Sequence, residues 1–363
     1  MSSVNPIRVV QLIDSLAAGG AERMAVSYAN ELAKQIAFSG LVATREEGSL
    51  KAQIQKPETY LFLNRKKTID FKALLAFRNY IKKNQVGVIH AHGSSYFFAL
   101  LVKLLIPKIA IFWHDHNGNR IHLKRNNIFL YLASLFFKGV FTVNDELKEW
   151  ALKNLWHKNI HFVPNFAVKN ENEKAITTLS GSDSKRIVCL ANLRNPKNHL
   201  QLLKAFSKSV AFPQNWSLHL IGADYNDAYS NELKHFITKN NLDHAVYFYG
   251  SCSDISAILH QAQIGVLAST YEGFPVTLLE YGLHGLAVAT TNVGYCEQLV
   301  THKKTGLLFH PKEEQELISC IDVLVENTEF RNEVALAYHK FVIENFSAAK
   351  IIELIIKQYT FEK

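Results

Sequence analysis

Residues 269–282, STYEGFPVTLLEYG, place two carboxylates on either side of a turn that contains proline. The apolar run IGVLAST at 264–270 leads into this turn and is typical of a buried strand, while the positions after Pro275 have helical spacing. Pro275 suits the first helical position, because its missing N–H needs no partner there. A buried strand that ends in a turn and a helix is the repeating unit of a doubly wound α/β sheet.

The same alternation runs along the whole chain of 363 residues. The candidate strands of the first half are RVVQLID, FSGLVAT, TYLFLN, VGVIHAH, IAIFWHD, GVFTVND and IHFVPN. Those of the second half are RIVCLAN, WSLHLIG, AVYFYG, IGVLAST, LAVATTN and GLLF. Segments with helical spacing, such as AERMAVSYANELAK, separate most of them, and this order indicates parallel sheets covered on both faces.

The sequence therefore predicts an α/β protein of two doubly wound domains, at 1–165 and 186–345. The polar, serine-rich stretch 166–185 is predicted to link them, and a helix at about 346–363 is expected to pack back on the first domain. Ligands of such domains bind at the carboxyl ends of the strands, so we expect the two domains to face each other across a ligand-binding cleft.

Positive charge is concentrated in the first half of the chain. Residues 1–165 carry 22 Lys and Arg against 11 Asp and Glu, whereas residues 166–363 carry 18 against 21. A solvated surface, an anionic membrane, a phosphorylated lipid or a nucleic acid would each fit this excess. No nucleic-acid-binding motif is recognisable, so a nucleic-acid partner is not expected. The four cysteines have no CxxC spacing, which favours a reducing cytoplasm and argues against a zinc site.

The turn at 269–282 has the features of an anion site. The backbone N–H groups of Val276 and Thr277 would point out of the helix start, and Gly273 would let a phosphate approach closely. Glu280 lies on the same helical face as Val276 and could accept hydrogen bonds from ribose hydroxyls, while Glu272 could hold hydroxyls of another moiety. The alternative is that Glu272 only complements the helix dipole and Glu280 is a solvated surface residue.

A series of motifs resembles one family. EGFPVTLLE is similar to the E-x7-E signature of retaining glycosyltransferases of family four, which have the GT-B fold of two facing Rossmann-like domains. The resemblance extends over nearly the whole chain, in order, through SLAAGGAERMAVSYANELA, IHAHGS, FWHDHNG, FVPNF, LANLRNPKNHLQLLKAF and NVGYCEQLVTHKKTGLLF.

The resemblance implies roles for the residues of the signature. Glu280 is expected to hold the donor ribose, and Glu272 to contact the transferred sugar near the reacting carbon. The turn and helix start are expected to contact the sugar and diphosphate through Gly273, Phe274, Pro275, Val276 and Thr277.

Negative charge on the leaving diphosphate must be met by cations and dipoles, because no D-x-D metal motif is evident and no metal or cofactor is expected. Lys197 matches the family lysine. Asn192 occupies the position where the family usually has an arginine, and Arg194 is the candidate substitute or a surface charge.

Two further backbone regions are implicated. Gly19 and Gly20 open a helix after the first strand, which predicts a second anion site, with Gly20 bordering the sugar phosphate. Gly250 and Ser251 match the region where the family reads the nucleobase, and uridine is preferred over guanosine.

Histidines end two strands of the first domain. His114 matches the family histidine that reaches the donor sugar, and His116, two residues on, points to the same side of an extended strand. His92 could face the same site, although a packed strand-end histidine is the alternative. With Glu272, His114 completes the predicted catalytic pair.

The resemblance implies retaining, metal-independent transfer of a hexose or N-acetylhexosamine from a UDP-sugar to a glycan or a polyprenyl-diphosphate-linked acceptor. Such a protein would serve the synthesis of polysaccharide or lipopolysaccharide. A sugar-nucleotide epimerase, or an inactive donor-binding partner subunit, are the alternatives. A cytoplasmic location is predicted, with possible peripheral contact with the anionic inner membrane through Lys66, Lys67, Arg120, Lys124 and Arg125.

Overall fold

The structure is a computed structural model that describes residues 5–17, 19–117, 120, 128–169 and 174–360. The chain divides into two compact units. The first unit comprises Met1–Phe166 together with Ala348–Lys363, and the second comprises Ala167–Ser347.

The first unit contains a parallel sheet of seven strands in the order β3-β2-β1-β4-β5-β6-β7. Its strands are β1 (Asn5–Ser15), β2 (Ile36–Glu46), β3 (Tyr60–Phe62), β4 (Val88–His92), β5 (Ala110–Asp115), β6 (Gly139–Thr142) and β7 (Ile160–Phe162). Its helices are α1 (Gly20–Leu32), α2 (Phe71–Lys83), α3 (Tyr96–Leu105), α4 (Ile128–Ser134) and α5 (Asp145–Asn154).

Both faces of this sheet are covered, as near-continuous apolar strands require. Successive residues of β1 point to opposite faces, so that Leu12 joins the core under α2 and α3 while Ile13 joins the core under α1. Both side chains are at most 4% exposed.

The second unit contains a parallel sheet of six strands in the order β10-β9-β8-β11-β12-β13. Its strands are β8 (Arg186–Leu190), β9 (Ser217–Ile221), β10 (Val246–Gly250), β11 (Ile264–Leu267), β12 (Ala287–Thr291) and β13 (Leu307–Phe309). Its helices are α6 (His199–Lys208), α7 (Ala228–Lys239), α8 (Ile255–Leu259), α9 (Val276–Leu283), α10 (Cys296–Leu299), α11 (Glu314–Glu326) and α12 (Thr328–Phe346).

These two doubly wound sheets confirm the predicted fold class. Each of the thirteen candidate strands overlaps one observed strand. β1 and β2 extend beyond the predicted runs at both ends, and the other eleven lie within them. In each sheet the strand order reverses once, between β1 and β4 and between β8 and β11. Ligands of open α/β sheets bind beside such reversals, so the loops after these four strands are where a site is expected.

The stretch predicted as a linker is partly anchored. The N–H groups of Ile176 and Thr177 donate to Asp254 at 2.8 and 2.6 Å, and the Arg186 guanidinium donates to the Leu179 carbonyl at 2.9 Å. These bonds tie the described end of the stretch to the second unit, in which Ala167–Ser347 are grouped.

The last helix, α13 (Ala348–Tyr359), belongs to the first unit and contacts α1. Its final residue, Tyr359, is 9% exposed and packs edge-on against Phe112 of β5. No helix within the described ranges has both the length and the apolar character needed to cross a membrane.

Candidate functional site

The turn between β11 and α9 begins the site in the second unit. Helix α9 starts at Val276, one residue later than predicted, because Pro275 has an extended ψ of 103° and serves as the N-cap. The Pro275 carbonyl accepts from the Leu278 N–H at 3.2 Å. The first N–H groups of α9 have no partner within the helix, as at every helix start, and this end carries the positive pole of the dipole.

An ion pair stands beside this helix start. The ammonium of Lys197, in the loop between β8 and α6, lies 2.6 Å from the Glu272 Oε1 atom. The Ser269 hydroxyl donates to the same oxygen at 2.6 Å. The two charged side chains keep 22% and 10% exposure, so the structure brings the predicted lysine and the first glutamate together at the sheet's reversal point.

Aromatic packing fixes the turn. Phe274 is 6% exposed, and its ring stacks on Tyr295 at 4.8 Å and meets Phe346 edge-on at 5.7 Å. This side chain therefore holds the turn in place, which leaves only its backbone for the predicted ligand contact.

Gly294 lies against the turn, and the sequence analysis did not identify it. Its φ is +53°, and a Cβ atom built there would lie 1.7 Å from the Glu272 carbonyl oxygen. Only glycine allows this approach, and the signal in the sequence was the glycine of NVGYCEQ.

Glu280 lies on α9, half-buried. Its backbone carbonyl accepts from the His284 ring at 2.8 Å. The carboxylate is thus neither a fully solvated surface group nor part of the apolar core. Gly273, Val276 and Thr277 are half-buried beside it, and the Thr277 hydroxyl donates to the Leu190 carbonyl at 3.1 Å.

Asn192 stands where the family usually has an arginine, and Arg194 is the candidate substitute. The two side chains have different surroundings. Asn192 accepts a hydrogen bond from the Ala223 N–H at 2.9 Å and donates to the Tyr225 hydroxyl at 3.4 Å, so its amide holds the loop after β9. The Arg194 side chain is exposed, two residues along the loop that carries Lys197.

The predicted nucleobase region lies at the end of the edge strand β10. Gly250 has a φ of +65° and its carbonyl accepts from the Gly222 N–H at 2.8 Å, while Ser251 is exposed. Two strands, β9 and β8, separate β10 from the reversal point, so these residues lie to one side of the ion pair.

The first unit places its two predicted glycines at a helix start. Gly19 is the N-cap of α1, with its carbonyl accepting from the Arg23 N–H at 3.0 Å. Gly20 is exposed, and a Cβ atom built there would meet nothing within 4 Å. A Cβ atom built at Gly19 would lie 2.2 Å from the Glu22 carboxylate, so this acidic side chain lies against the start of α1, at the reversal point of the sheet.

Four histidines gather at the ends of β4 and β5. His92 Nδ1 lies 2.9 Å from His116 Nε2, and His90 Nε2 lies 3.1 Å from His114 Nδ1. Adjacent rings of the group stack, with centroids 4.1 Å apart for His114 and His116 and 4.4 Å apart for His90 and His92. We call these four residues the histidine cluster.

Burial keeps the cluster uncharged. His90, His92 and His114 are fully buried, and burial holds the pKa of each imidazole well below the ordinary value. Burial lowers the pKa of His116 to about 3. At neutral pH the cluster is therefore a network of hydrogen-bonding imidazoles rather than a cationic patch.

Partners outside the cluster orient its rings. Gln11 Oε1 lies 2.8 Å from His92 Nε2, and because an amide oxygen only accepts, His92 carries its proton there and accepts from His116. The Tyr359 hydroxyl, at the end of α13, lies 2.7 Å from His90 Nδ1. A backbone hydrogen bond with Val163 also acts on His114 from outside the cluster.

His90, Gln11 and Tyr359 were not identified from the sequence. The period-2 pattern of VIHAH could have included His90, since it shares a strand face with His92. Nothing local could have linked Tyr359 to them, because 269 positions separate it from His90.

Ligand nitrogens of His90, His92 and His114 all lie within 4.8 Å of one another, so these three imidazoles could hold a metal ion. Such an ion would have to replace the hydrogen bonds that now join the rings. No carboxylate or thiolate belongs to this group within the part of the chain that the structure describes.

A second polar cluster lies at the ends of β1 and β2. Asp14 accepts from Arg65 at 3.0 Å and from the Ser94 hydroxyl at 2.7 Å. The Arg65 guanidinium is 4% exposed and lies 4.8 Å from the centroid of Phe98. This salt bridge was also missed, since its members are 51 positions apart.

The basic residues assigned to a membrane contact have unlike surroundings. Arg120 pairs with the buried Asp115, and its guanidinium lies over Trp113 and Trp150. Burial still raises the pKa of Asp115 above its ordinary value. Lys66 and Lys67 are exposed, and the two remaining predicted contacts lie outside the described residues, at Lys124 and Arg125.

Two family models match the chain, one for each unit. Residues 18–167 match Glycosyltransferase Family 4, and residues 170–340 match Glycosyl transferases group 1. With the two Rossmann-like sheets, these matches identify the chain as a GT-B glycosyltransferase.

Relatives and solved structures agree with this class. An uncharacterized glycosyltransferase of Haemophilus influenzae is 23% identical over 93% of this chain and 95% of its own length. The UDP-Gal:alpha-D-GlcNAc-diphosphoundecaprenol alpha-1,3-galactosyltransferase of Escherichia coli is 22% identical over 80% of this chain and 79% of its own. The crystal structure of Anabaena HepE in complex with UDP and glucose superposes with a TM-score of 0.81, at 17% identity, over 97% of this chain and 99% of that one.

Proposed function

We propose that this glycosyltransferase moves a hexose or an N-acetylhexosamine from a UDP-sugar to a polyprenyl-diphosphate-linked glycan, with retention of the anomeric configuration. One observation carries the proposal. The Lys197 ammonium lies 2.6 Å from the Glu272 carboxylate beside the start of α9, which brings together a cation, a carboxylate and a helix N-terminus.

This arrangement suits a sugar diphosphate. A diphosphate at the start of α9 would draw the Lys197 ammonium toward its oxygens. Glu272 would then be released to accept hydrogen bonds from sugar hydroxyls, while the Ser269 hydroxyl keeps its carboxylate in place. Glu280, half-buried further along α9, would take the ribose hydroxyls.

The reaction needs charge stabilisation more than a nucleophile. As the bond from the anomeric carbon to the diphosphate breaks, negative charge grows on the leaving oxygens, and Lys197 and the N–H groups of α9 would stabilise it. The departing phosphate would help to remove the proton of the acceptor hydroxyl on the same face of the sugar. No metal enters this scheme. The contacts of Gly19 and Gly20 with the donor stay part of the proposal, whereas the predicted contact of His114 does not, because that side chain is fully buried.

The choice of substrates is supported by the comparisons. A similar solved structure contains UDP and glucose, and the name of the Escherichia coli relative specifies a UDP-sugar and a diphosphoundecaprenol-linked acceptor. The basic first half of the chain would suit the diphosphate of such an acceptor and the anionic membrane that carries it.

Binding and transfer can be tested separately. A panel of UDP- and GDP-sugars should include one that raises the melting temperature, since a ligand stabilises the state that it binds. That donor should then release UDP only when an undecaprenyl-diphosphate-linked glycan is added, and nuclear magnetic resonance of the product should show the donor's anomeric configuration.

Each alternative has a distinct signature. Formation of an isomerised nucleotide sugar without acceptor would indicate an epimerase and overturn the proposal. Donor binding without turnover on any lipid-linked acceptor would favour an inactive partner subunit, and an inverted product would refute retention alone.

A further inference from the structure

Helices α3 and α4 of the first unit present a surface of large apolar side chains to solvent. Leu104 is 73% exposed, Phe129 is 70% exposed and Ile128 is 66% exposed. Large apolar side chains that cluster on one exposed surface mark an interaction site more often than single exposed ones do. We call this surface the α3–α4 face, and its exposed members are Leu104, Leu105, Ile128, Phe129, Leu132 and Phe136.

A groove of about 400 Å³ runs along this face. Its lining is apolar apart from Lys103, whose ammonium donates to the Pro107 and Ile109 carbonyls at 3.2 and 2.6 Å. The charged end of this lysine is therefore occupied at the end of α3, and its methylene stem contributes to the apolar lining.

The segment that carries the two helices is rich in basic residues. Residues 93–144 contain six Lys and Arg and a single acidic residue, Asp115. Asp115 is 1% exposed and pairs with Arg120, so it offers no negative charge to a partner. The exposed charges that flank the two helices, Lys108 and Lys138, are positive.

We propose that the α3–α4 face docks on the surface of an anionic lipid bilayer, with the side chains of α4 inserted at the level of the headgroups. Apolar side chains beside lysines are the composition of helices that lie in the membrane interface. Helix α3 has ten residues and α4 has seven, so neither spans a bilayer, which needs about 20 residues. An anionic bilayer fits this face better than a protein partner or a second copy, because exposed lysines flank both helices, at Lys108 and Lys138.

This docking does not depend on the proposed glycosyl transfer, although it would bring the protein to a lipid-linked acceptor. It also differs in its residues from the docking predicted from the sequence, which named Lys66, Lys67, Arg120, Lys124 and Arg125. Of these, Arg120 pairs with the buried Asp115.

Vesicle sedimentation tests the proposal with the full chain. The protein should sediment with vesicles of phosphatidylglycerol and phosphatidylcholine, less with phosphatidylcholine alone, and less as salt is raised. The double variant Phe129→Glu, Leu132→Glu should bind the anionic vesicles roughly tenfold more weakly or worse, because both side chains are exposed and the new charges oppose insertion.

Two control variants distinguish insertion of apolar side chains into the bilayer from electrostatic attraction to its surface. The double variant Leu336→Glu, Ile343→Glu adds the same charge at side chains of α12 that are 70% and 45% exposed, and it should bind like the unaltered protein. Lys108→Gln with Lys138→Gln should weaken binding at low salt and have less effect at high salt.

A second measurement needs no variant. Trp156 is 63% exposed, and its ring lies 6.0 Å from that of Tyr131 on α4. Vesicles with brominated acyl chains should therefore quench part of the tryptophan fluorescence.

The proposal is overturned if the unaltered protein stays in the supernatant, if the α4 variant binds as tightly as the α12 variant, or if quenching is absent. A dimer in solution that the α4 variant converts to a monomer, without vesicle binding, would assign the face to a second copy instead.

Discussion

Two groups of ionisable side chains, one in each unit, are built in opposite ways. In the second unit, Lys197 and Glu272 form an ion pair and keep 22% and 10% exposure beside a helix start. In the first unit, His90 and His114 are fully buried and burial lowers their pKa values, so they remain neutral. Removing a charge from water is costly, whereas a neutral imidazole needs only hydrogen-bond partners. The comparison suggests that the ion pair exchanges partners when a ligand arrives, while the histidine cluster is a fixed scaffold.

The largest expected effect is on catalysis, from Lys197→Met. The leaving diphosphate would lose its nearest cation, and we expect kcat with the identified donor to fall roughly 100-fold, or by about 2.7 kcal/mol of transition-state stabilisation. Steady-state kinetics with saturating donor measure this fall in kcat.

The control for this substitution is Lys208→Met, which breaks a surface pair with Glu314 whose members are 61% and 31% exposed. It should leave kcat within twofold, because exposed pairs contribute little. Equal losses in the two variants would show that Lys197 has no special part in the reaction.

The next effect concerns the stability of the histidine cluster. Tyr359→Phe removes the hydroxyl that lies 2.7 Å from His90 Nδ1 and leaves a buried ring nitrogen without this partner. We expect the free energy of unfolding to fall by about 1–3 kcal/mol in denaturant titrations.

Tyr28→Phe is the matched change on the same cluster. Tyr28 is also fully buried, its ring centroid lies 5.2 Å from that of His90, and its hydroxyl has no partner among the described residues. Its loss should be neutral or slightly stabilising. If Tyr28→Phe proved as harmful as Tyr359→Phe, the hydroxyl bond to His90 would not explain the loss.

The smallest effect is a change in the pH dependence of stability, measured with His116→Gln. Burial lowers the pKa of His116 from 6.5 to about 3, so between these values the unfolded chain binds a proton that the folded protein does not. The free energy of unfolding therefore has its full value, as far as His116 is concerned, above pH 6.5. Below that pH it falls by about 1.4 kcal/mol per pH unit.

Between pH 6 and pH 4 the unfolding free energy falls as pH falls. Removing this imidazole should reduce the slope of that fall by at most about 1.4 kcal/mol per pH unit, the contribution of one proton. The control is His235→Gln, which makes the same change on the exposed side of α7. A slope that stays the same in His116→Gln would mean that His116 is protonated in the folded protein, and the contrast between the ion pair and the histidine cluster would be weaker.

Much of the fold could be predicted because its signals are local. Strand runs and helical spacing repeat over short windows, and each of the thirteen predicted runs overlaps one observed strand. The start of α9 was misplaced by one residue, since the identity of Pro275 does not determine whether its ψ is helical or extended.

The candidate site was only partly predictable. Glu272 and Lys197 were identified by motif, but their contact joins residues 75 positions apart and depends on β8 and β11 being neighbours. Phe274 was expected beside a ligand, and its packing on Tyr295 and Phe346 became visible only with the helices in place.

The sequence by itself determined the two doubly wound sheets, the turn that begins α9 and the residue types available for binding a sugar diphosphate. Only the tertiary structure decided that Tyr359 of the last helix contacts His90, that Asp115 neutralises Arg120, and that the α3–α4 face stays uncovered. The physical reason is that strand and helix patterns follow from neighbouring residues, whereas partners and burial depend on which distant segments pack together.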